Sequence, residues 1–209
     1  MGGEHVSKPD RSIDPRLLEA AKAEFLRKGF TDASIREICA SAGVTTGAFY
    51  KRYASKEELF DALVKPTVED FKRETAAIAP EELEALRESG SVEAIWGNQR
   101  DSYRWLMAYM YDHYDVFRLL FCCAEGTNYD GFLHDLTAYS CRATLAVMGE
   151  VYQKGLCAYL PSEEELHMLM TAYHAALIEP IRHGYTREQA MHFCDSLDRL
   201  ISWRGFFGC

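Results

Sequence analysis

The sequence predicts an all-α protein, for three reasons. Alternation of apolar and polar residues, the pattern of strands, is scarce, and only 6 of the 209 residues are proline. Apolar residues recur instead at spacings of three and four, which place them on one face of a helix. In addition, four segments fit the capping box, in which a hydroxyl and a Glu or Gln side chain satisfy free N–H groups at a helix start. These segments begin at Ser34, Ser55, Ser162 and Thr186.

The composition favours a folded protein that does not enter a membrane. Hydrophobic residues make up 48% of the chain and aromatic residues 12%, which is sufficient for a substantial core. Because no stretch of about 18 apolar residues occurs, no membrane-spanning helix is expected. Residues 1–10 are polar and lack the apolar stretch of a secretion signal, so they are expected to form a short frayed tail. These features predict a cytoplasmic protein.

The charge is distributed unevenly along the chain. The net charge is −9, which by itself disfavours a nucleic-acid partner. Residues 1–65, however, hold 11 Lys and Arg against 10 Asp and Glu, so the acidic excess lies in the remainder. A near-neutral N-terminal part on an acidic body is compatible with a specific DNA-binding protein whose body is repelled by the duplex.

The chain between residues 14 and 41 has the pattern of two helices. Asp14 and Pro15 fit a helix start, and Gly29 fits a helix stop. The second helix is predicted over residues 34–41. The apolar positions that should face the core are Leu18, Ala21, Phe25, Ile35, Ile38 and Cys39.

A short turn and a third helix follow. Gly43 can adopt a left-handed conformation in a three-residue turn, and Val44 can fill the angle between the flanking helices. The next element begins with the small residues 45–48 and ends in the aromatic residues Phe49, Tyr50 and Tyr53. A helix that enters a major groove by its end needs this form, because bulky side chains at its tip would hold it away from the bases.

Taken together, these residues resemble the N-terminal domain of the TetR/AcrR family of bacterial transcription regulators. The resemblance covers roughly the first third of the chain and implies a three-helix helix-turn-helix DNA-binding domain, here called the head, in residues 11–60. It further implies a C-terminal helical domain for ligand binding and dimerisation, the body, in residues 61–209. Lys51 and Arg52 depart from the family pattern, which more often has an aromatic residue and a His there, so the operator sequence does not follow by analogy. The matching residues are Arg16-Leu-Leu-Glu-Ala-Ala, Phe25, Lys28-Gly-Phe, Ser34-Ile-Arg-Glu-Ile-Cys, the run from Ala42 to Tyr53, and Ser55-Lys-Glu-Glu-Leu59.

The resemblance implies DNA contacts for positions around the third helix. Tyr50 is expected to bind a phosphate group, and Thr45 and Thr46 the base edges or methyl groups. Gly47 permits a close approach to the duplex. The expected DNA-binding residues are Ser34, Arg36, Thr45, Thr46, Gly47, Tyr50, Lys51 and Lys56.

Structural alternatives exist for several of these positions. Ser34 would be favoured as a helix cap whatever the function, and Tyr50 could be a core residue. The basic residues Arg36, Lys51 and Lys56 could be solvated surface charges.

In the body, Gly and Pro residues predict where helices end. A long helix over residues 55–78 is expected to join the head to the body. The predicted breaks that follow it are Ala79-Pro80, Ser89-Gly90, residues 126–128, Leu160-Pro161 and His183-Gly184.

The segment from residue 96 to 121 is rich in aromatic residues and methionine. The equivalent helices of the family line a ligand cavity, and such walls would suit a flat, largely apolar effector. The alternative is that the same stripe is core. The expected ligand-binding residues are Trp96, Tyr103, Met107, Met110, Tyr114, Phe117 and Phe121.

The resemblance further implies that the last two long helices pair with those of a second subunit in a four-helix bundle, and the sequence is compatible with this. Their apolar stripes are wide enough for an internal core and a partner, although both could serve the core alone. The stripe residues are Leu166, Leu169, Met170, Tyr173, Ala176, Leu177 and Ile181, then Met191, Cys194, Leu197, Leu200, Ile201 and Trp203. A homodimer would place two recognition helices in successive major grooves, so the operator is predicted to be palindromic. A small-molecule effector is expected to release the protein from this operator.

Two alternatives concern other chemistry. The chain has seven cysteines without a CxxC motif, which favours reduced thiols, but Cys122, Cys123 or Cys141 could sense oxidants or soft metals. Glu164 and His167 have the spacing of a di-iron ligand pair, yet a bundle of that kind requires a second such motif, so an enzyme is not expected. No cofactor and no metal site are predicted.

Overall fold

The computed structural model describes residues 13–209, and the side chains of residues 14–95 and 103–209. The predicted tail, residues 1–10, lies outside the described residues. Within the described part the chain forms helices and no strand, which confirms the all-α class. The helices are α1 (Ile13–Asp32), α2 (Ile35–Ala42), α3 (Thr46–Tyr50), α4 (Lys56–Ser89), α5 (Glu93–Asp112), α6 (Tyr114–Cys122), α7 (Phe132–Gln153), α8 (Glu163–Arg182), α9 (Arg187–Leu200) and α10 (Trp203–Phe207).

The predicted capping residues begin four of these helices. Thr186 and Gln189 form the complete capping box. Ser55 and Ser162 accept the hydrogen bond from the backbone N–H three residues on, at 3.2 Å in each case. Ser34 is the residue before α2, but its hydroxyl makes no capping hydrogen bond, so that part of the prediction is wrong.

One predicted helix stop is confirmed and another is wrong. Gly29 adopts the non-helical angles φ 77° and ψ 167°, so the first helical segment of α1 stops there and a second segment continues to Asp32. Pro80 does not end a helix, because α4 continues through it, as it does through Pro66. The physical reason is burial beyond the proline. Leu86 is fully buried, and burying such a side chain contributes about 1.5–3 kcal/mol, comparable with the roughly 3 kcal/mol cost of an internal proline.

The head has an aromatic core that also contacts the body. The rings of Phe25, Phe30 and Phe60 lie with their centroids 5.2–5.8 Å apart. The backbone N–H of Phe30 donates to the carbonyl of Cys123 at 2.9 Å, just after α6. The Thr31 hydroxyl donates to the carbonyl of residue 125 at 3.1 Å. The head therefore rests on α6 and on the loop that follows it.

A second apolar cluster fills the body between α5, α7, α8 and α9. Tyr173 lies at its centre, 1% exposed, and its ring contacts those of Tyr103 and Trp203. The short helix α10 is fixed to this cluster because the backbone N–H of Ala158 donates to the carbonyl of Phe207 at 3.1 Å. None of the described helices combines the length and the apolar content needed to cross a bilayer.

Candidate nucleic-acid interface and ligand cavity

The turn between α2 and α3 has the conformation that the sequence predicts. Gly43 is left-handed, with φ 65° and ψ 36°. Its N–H donates to the carbonyl of Ala40 at 3.2 Å, and the N–H of Val44 donates to that of Cys39 at 2.9 Å. These bonds close the end of α2 and set the direction in which the chain enters α3.

The N-terminal tip of α3 faces solvent. The Thr45 hydroxyl caps the helix by accepting the N–H of Ala48 at 3.1 Å. Thr46 and Gly47 are exposed, whereas Phe49 on the opposite side is fully buried. The helix is thus anchored by one aromatic residue and presents its small residues outward.

Further candidate residues surround this tip. Tyr50 is 58% exposed, so the alternative that it is a core residue is wrong. Arg36 and Lys51 are also exposed and have no ion-pair partner among the residues that the structure describes. Ser34 is half-buried, and the lack of a capping bond leaves its hydroxyl available for another acceptor or donor.

Lys56 has a role that the sequence reasoning missed. Its ammonium group donates to the carbonyls of Phe30, Thr31 and Ala33 at 2.6, 3.0 and 2.9 Å. It also lies 4.5 Å from the centroid of the Phe30 ring. Burial lowers the pKa of Lys56. Because three carbonyls occupy its three donors, a phosphate contact requires another rotamer, and its binding to DNA stays a prediction.

Arg52 links α3 to α1. Its Nε atom lies 2.7 Å from the Asp14 carboxylate of α1, and its guanidinium group donates to the carbonyl of Ala48 at 3.3 Å. This departure from the family pattern therefore serves the scaffold of the head.

An ion cluster joins α1 to α2. Burial alone would raise the pKa of Glu24, but hydrogen bonds from Arg27 and Lys28 hold it well below its usual range. Lys28 also reaches Glu37 of α2 at 2.7 Å. The cluster explains why Glu37 does not complete a capping box with Ser34.

The body contains a cavity of about 160 Å³. Its walls come from α4, α5, α7, α8 and α10, so one side of the long helix α4 faces it. Most of the lining is apolar or aromatic, and the aromatic members are Tyr103, Trp105, Tyr139, Trp203 and Phe207.

Three polar side chains of the lining stand out by burial. Glu82 is half-buried, and burial raises its pKa to about 7. His174 is buried and lies 3.0 Å from the Thr137 hydroxyl, and burial lowers its pKa to about 4. The indole N–H of Trp203 is buried and has no hydrogen-bond partner among the described groups. Sequence reasoning missed all three as cavity residues, because helical spacing places Trp203 only in an apolar stripe and places Glu82 and His174 in none.

The predicted ligand-binding residues are mostly core. Tyr103 lines the cavity, whereas the side chain of Trp96 lies outside the described residues. The others do not line this cavity. Met107 and Met110 lie on α5 itself and are fully buried. The last three residues of the stripe follow the break between Asp112 and Tyr114 and lie on α6. They pack in or against the hydrophobic clusters, and they are Met107, Met110, Tyr114, Phe117 and Phe121.

The cysteines considered as sensors lack the low pKa of reactive thiols, although Cys122 is exposed, whereas Cys123 and Cys141 are buried. Burial raises the pKa of Cys122, Cys123 and Cys141, which keeps them protonated and weakly nucleophilic. Among the side chains that the structure describes, no three His, Cys, Asp or Glu residues are placed to hold a metal ion. The sensor alternative therefore has no support.

Leu169 and Leu200 of the two C-terminal stripes face solvent, and so does the neighbouring Met168, which the predicted stripes do not include. Met168 is 67% exposed, Leu169 39% and Leu200 80%. Most other stripe residues are buried within this chain. We call these three side chains the exposed apolar face of α8 and α9.

The family model of bacterial regulatory proteins, tetR family, matches residues 17–63. Over 49 residues the chain is 41% identical to the HTH-type transcriptional repressor KstR2 of Mycobacterium tuberculosis, a match that covers 23% of this chain and 24% of that protein. Over 105 residues it is 31% identical to the repressor AcnR of Corynebacterium efficiens, covering 48% and 50%. The chain thus spans a quarter to a half of the length of these curated relatives. A TetR-like transcriptional regulator from Rhodococcus sp. RHA1 has the same fold, with a TM-score of 0.57 at 19% identity over 97% of this chain and 100% of that one.

Proposed function

Because residues 17–63 belong to the TetR family of bacterial regulatory proteins, we propose that this chain is a dimeric, cytoplasmic transcription repressor. A small ligand releases it from a palindromic operator. The observation that carries the proposal is the exposed tip of α3, where Thr45, Thr46 and Gly47 project above the buried ring of Phe49. A tip of this kind fits the major groove of B-DNA, which is about 12 Å wide.

The exposed groups around the tip divide into two roles. Thr46 and Thr45 read base edges, with Gly47 allowing the backbone to approach. Tyr50, Lys51, Arg36 and Ser34 bind phosphates on either side of the groove and fix the register of the helix. Two observations support this division. Tyr50, Lys51 and Arg36 are exposed, and the Ser34 hydroxyl makes no capping hydrogen bond within the helix.

The dimer forms through the exposed apolar face of α8 and α9. Met168, Leu169 and Leu200 leave an apolar surface that a second copy of the chain would cover. A two-fold axis at this surface relates two heads, and two half-sites in the operator follow from that symmetry.

Ligand release acts through α4, which lines the cavity and also leads into the head. Two tyrosines connect α4 to the rest of the body. The Tyr109 hydroxyl donates to Asp70 at 2.8 Å, and the Tyr129 hydroxyl donates to Asp61 at 2.5 Å. A ligand that favours a different position of α4 changes the separation of the two heads and lowers operator affinity.

The test is the binding of the purified protein to palindromic DNA taken from beside its own gene, measured by fluorescence anisotropy. We expect tight binding that random competitor DNA does not displace. A protein without preference for any sequence over random competitor would contradict the proposal.

Gly47→Ala separates DNA contact from folding. A Cβ at Gly47 has the Thr45 hydroxyl oxygen as its nearest described neighbour, at 3.9 Å, so alanine fits. We expect unchanged or slightly raised stability, by up to about 1 kcal/mol, and an operator affinity about tenfold lower. The control Gly43→Ala places a Cβ at a left-handed position and should cost about 1–2 kcal/mol of stability. Native operator affinity in Gly47→Ala would contradict the close approach.

A further inference from the structure

The cavity of the body has an acidic group, and none of the described lining residues supplies a counter-charge to it. Among its described lining residues, Glu82 is the only one that carries a full charge when ionised near pH 7, and neither Lys nor Arg is present. Glu82 makes no hydrogen bond or ion pair with any side chain in the described ranges. Its raised pKa, about 7, has burial as its cause. The ionised carboxylate of Glu82 therefore lacks a hydrogen-bond donor or a positive charge nearby, and a ligand could supply either.

The second polar group of the cavity is a hydrogen-bond acceptor. The Thr137 hydroxyl donates its one proton to the carbonyl of Leu133 at 2.9 Å. His174 must then donate its Nδ1 proton to Thr137, which leaves Nε2 of the neutral ring unprotonated. Burial keeps this ring neutral near pH 7, with a pKa of about 4. The half-buried Glu82 and the buried His174 thus both favour a ligand that brings N–H donors.

The walls of the cavity suit a flat, positively charged molecule. Tyr103, Trp105, Tyr139 and Trp203 line it, and aromatic faces attract organic cations by about 0.5–2 kcal/mol each. The unpartnered indole N–H of Trp203 offers one donor for an acceptor atom on the same ligand.

We propose that this cavity binds a lipophilic organic cation, a protonated amine on an aromatic body, with Glu82 as its counter-ion. The ammonium group donates to the Glu82 carboxylate and to Nε2 of His174, and the apolar part lies between the aromatic walls. A carboxylate or phosphate ligand is disfavoured, because no cationic side chain of the described lining would offset the loss of its hydration. This inference rests on the proposed function, since it names the chemical class of the effector.

The test uses three probes that share one ring system: 1-naphthylmethylamine, the neutral 1-naphthalenemethanol and 1-naphthoate. Their binding to the full chain is measured by isothermal titration calorimetry in the absence of DNA. We expect the protonated amine to bind at least about tenfold more tightly than the alcohol, and the carboxylate most weakly.

Glu82→Gln is the decisive variant, and Glu84→Gln, exposed on the same helix, is its matched control. We expect Glu82→Gln to lower the affinity for the amine about tenfold and to change the affinity for the alcohol by less than about twofold. The control variant should change neither affinity. The proposal is overturned if the carboxylate binds most tightly, if Glu82→Gln leaves the preference for the amine intact, or if no probe binds up to about 1 mM. Because the titration contains no DNA, its failure is distinguishable from a failure of operator binding.

Discussion

At the scale of single residues, Lys56 stabilises the head by donating hydrogen bonds to three backbone carbonyls at the end of α1 and just before α2. Lys56→Met keeps the aliphatic stem and removes the donors. Phe30 and Ala33 are buried, whereas Thr31 is exposed and the carbonyl of Phe30 also accepts the N–H of Ala33 at 3.3 Å. A buried acceptor left without a partner costs about 1–3 kcal/mol, so we expect a lower melting temperature. The measurement is thermal unfolding followed by circular dichroism.

Lys51→Met is the matched control, because Lys51 is exposed and its loss should change stability by less than about 0.5 kcal/mol. If Lys56→Met unfolds at the native temperature and loses only DNA affinity, Lys56 acts on phosphate and the observed carbonyl contacts are incidental.

Two cavity residues give stability opposite dependences on pH. The pKa of Glu82 is raised from 4.5 to about 7 by burial, so the folded state binds more protons between these values and stability falls as pH rises. The pKa of His174 is lowered from 6.5 to about 4 by burial, so stability rises with pH between those values. Tyr103 and Tyr139 are the other titratable groups of the described lining. The two slopes oppose each other over most of the same range.

Glu82→Gln should remove the falling slope and leave the rising one. Relative to the native chain, we expect the variant to gain on the order of 1–2 kcal/mol as the pH rises from 4.5 to about 7. This gain is smaller than the full pKa shift implies, because Glu82 keeps contact with solvent. Urea unfolding across this pH range measures the gain, and Glu84→Gln should show none. A pH-independent difference between Glu82→Gln and the native chain would mean that Glu82 is not buried as described.

The residue scale also shows where sequence reasoning stops. The exposure of Thr46 and Gly47 and the burial of Phe49 could be predicted, because neighbouring residues of one short helix determine them. The contact of Lys56 with residues 30–33 could not, since it depends on how α4 crosses the end of α1. Glu82 likewise has the pattern of a surface residue, and only the packing of α5 and α7 around it makes it part of a cavity.

At the scale of elements, the sequence predicts that the segments are helices and where many of them end. It fails at helix ends where tertiary packing competes with the local preference of the chain. Caps at Ser55, Ser162 and Thr186 act within one turn of chain, and the structure has them as predicted. Pro80 acts locally too, yet the burial of Leu86 keeps α4 helical beyond it. Pro80 has no N–H, so α4 lacks one backbone hydrogen bond two residues before Glu82. A ligand in the cavity would therefore act on α4 near a point where the helix is weakened.

The aromatic stripe of residues 103–121 illustrates the same limit. Helical spacing identifies a buried face correctly, since Met107, Met110 and Phe117 are fully buried. It does not identify what that face meets. Met110 of α5 and Phe117 of α6 both lie in the cluster shared with the head, whereas Tyr103, on the same helix as Met110, lines the cavity.

At the scale of the whole molecule, operator binding should depend on the exposed apolar face of α8 and α9. Leu200 is 80% exposed, and Leu200→Lys would place a charge within the proposed interface. Burying an unpaired charge costs several kcal/mol, so we expect a monomer at micromolar concentration by light scattering. Two linked recognition helices reach half-sites about 34–36 Å apart, and a monomer should therefore lose affinity for the full operator while binding single half-sites weakly.

Tyr152→Lys provides the matched control, because Tyr152 is 47% exposed on α7 and outside this face. It should leave both the mass and the operator affinity unchanged. A Leu200→Lys protein that still has the mass of the native assembly would place the interface on another surface. In that case the spacing of the two heads, and with it the expected operator symmetry, would have to be derived from that surface instead.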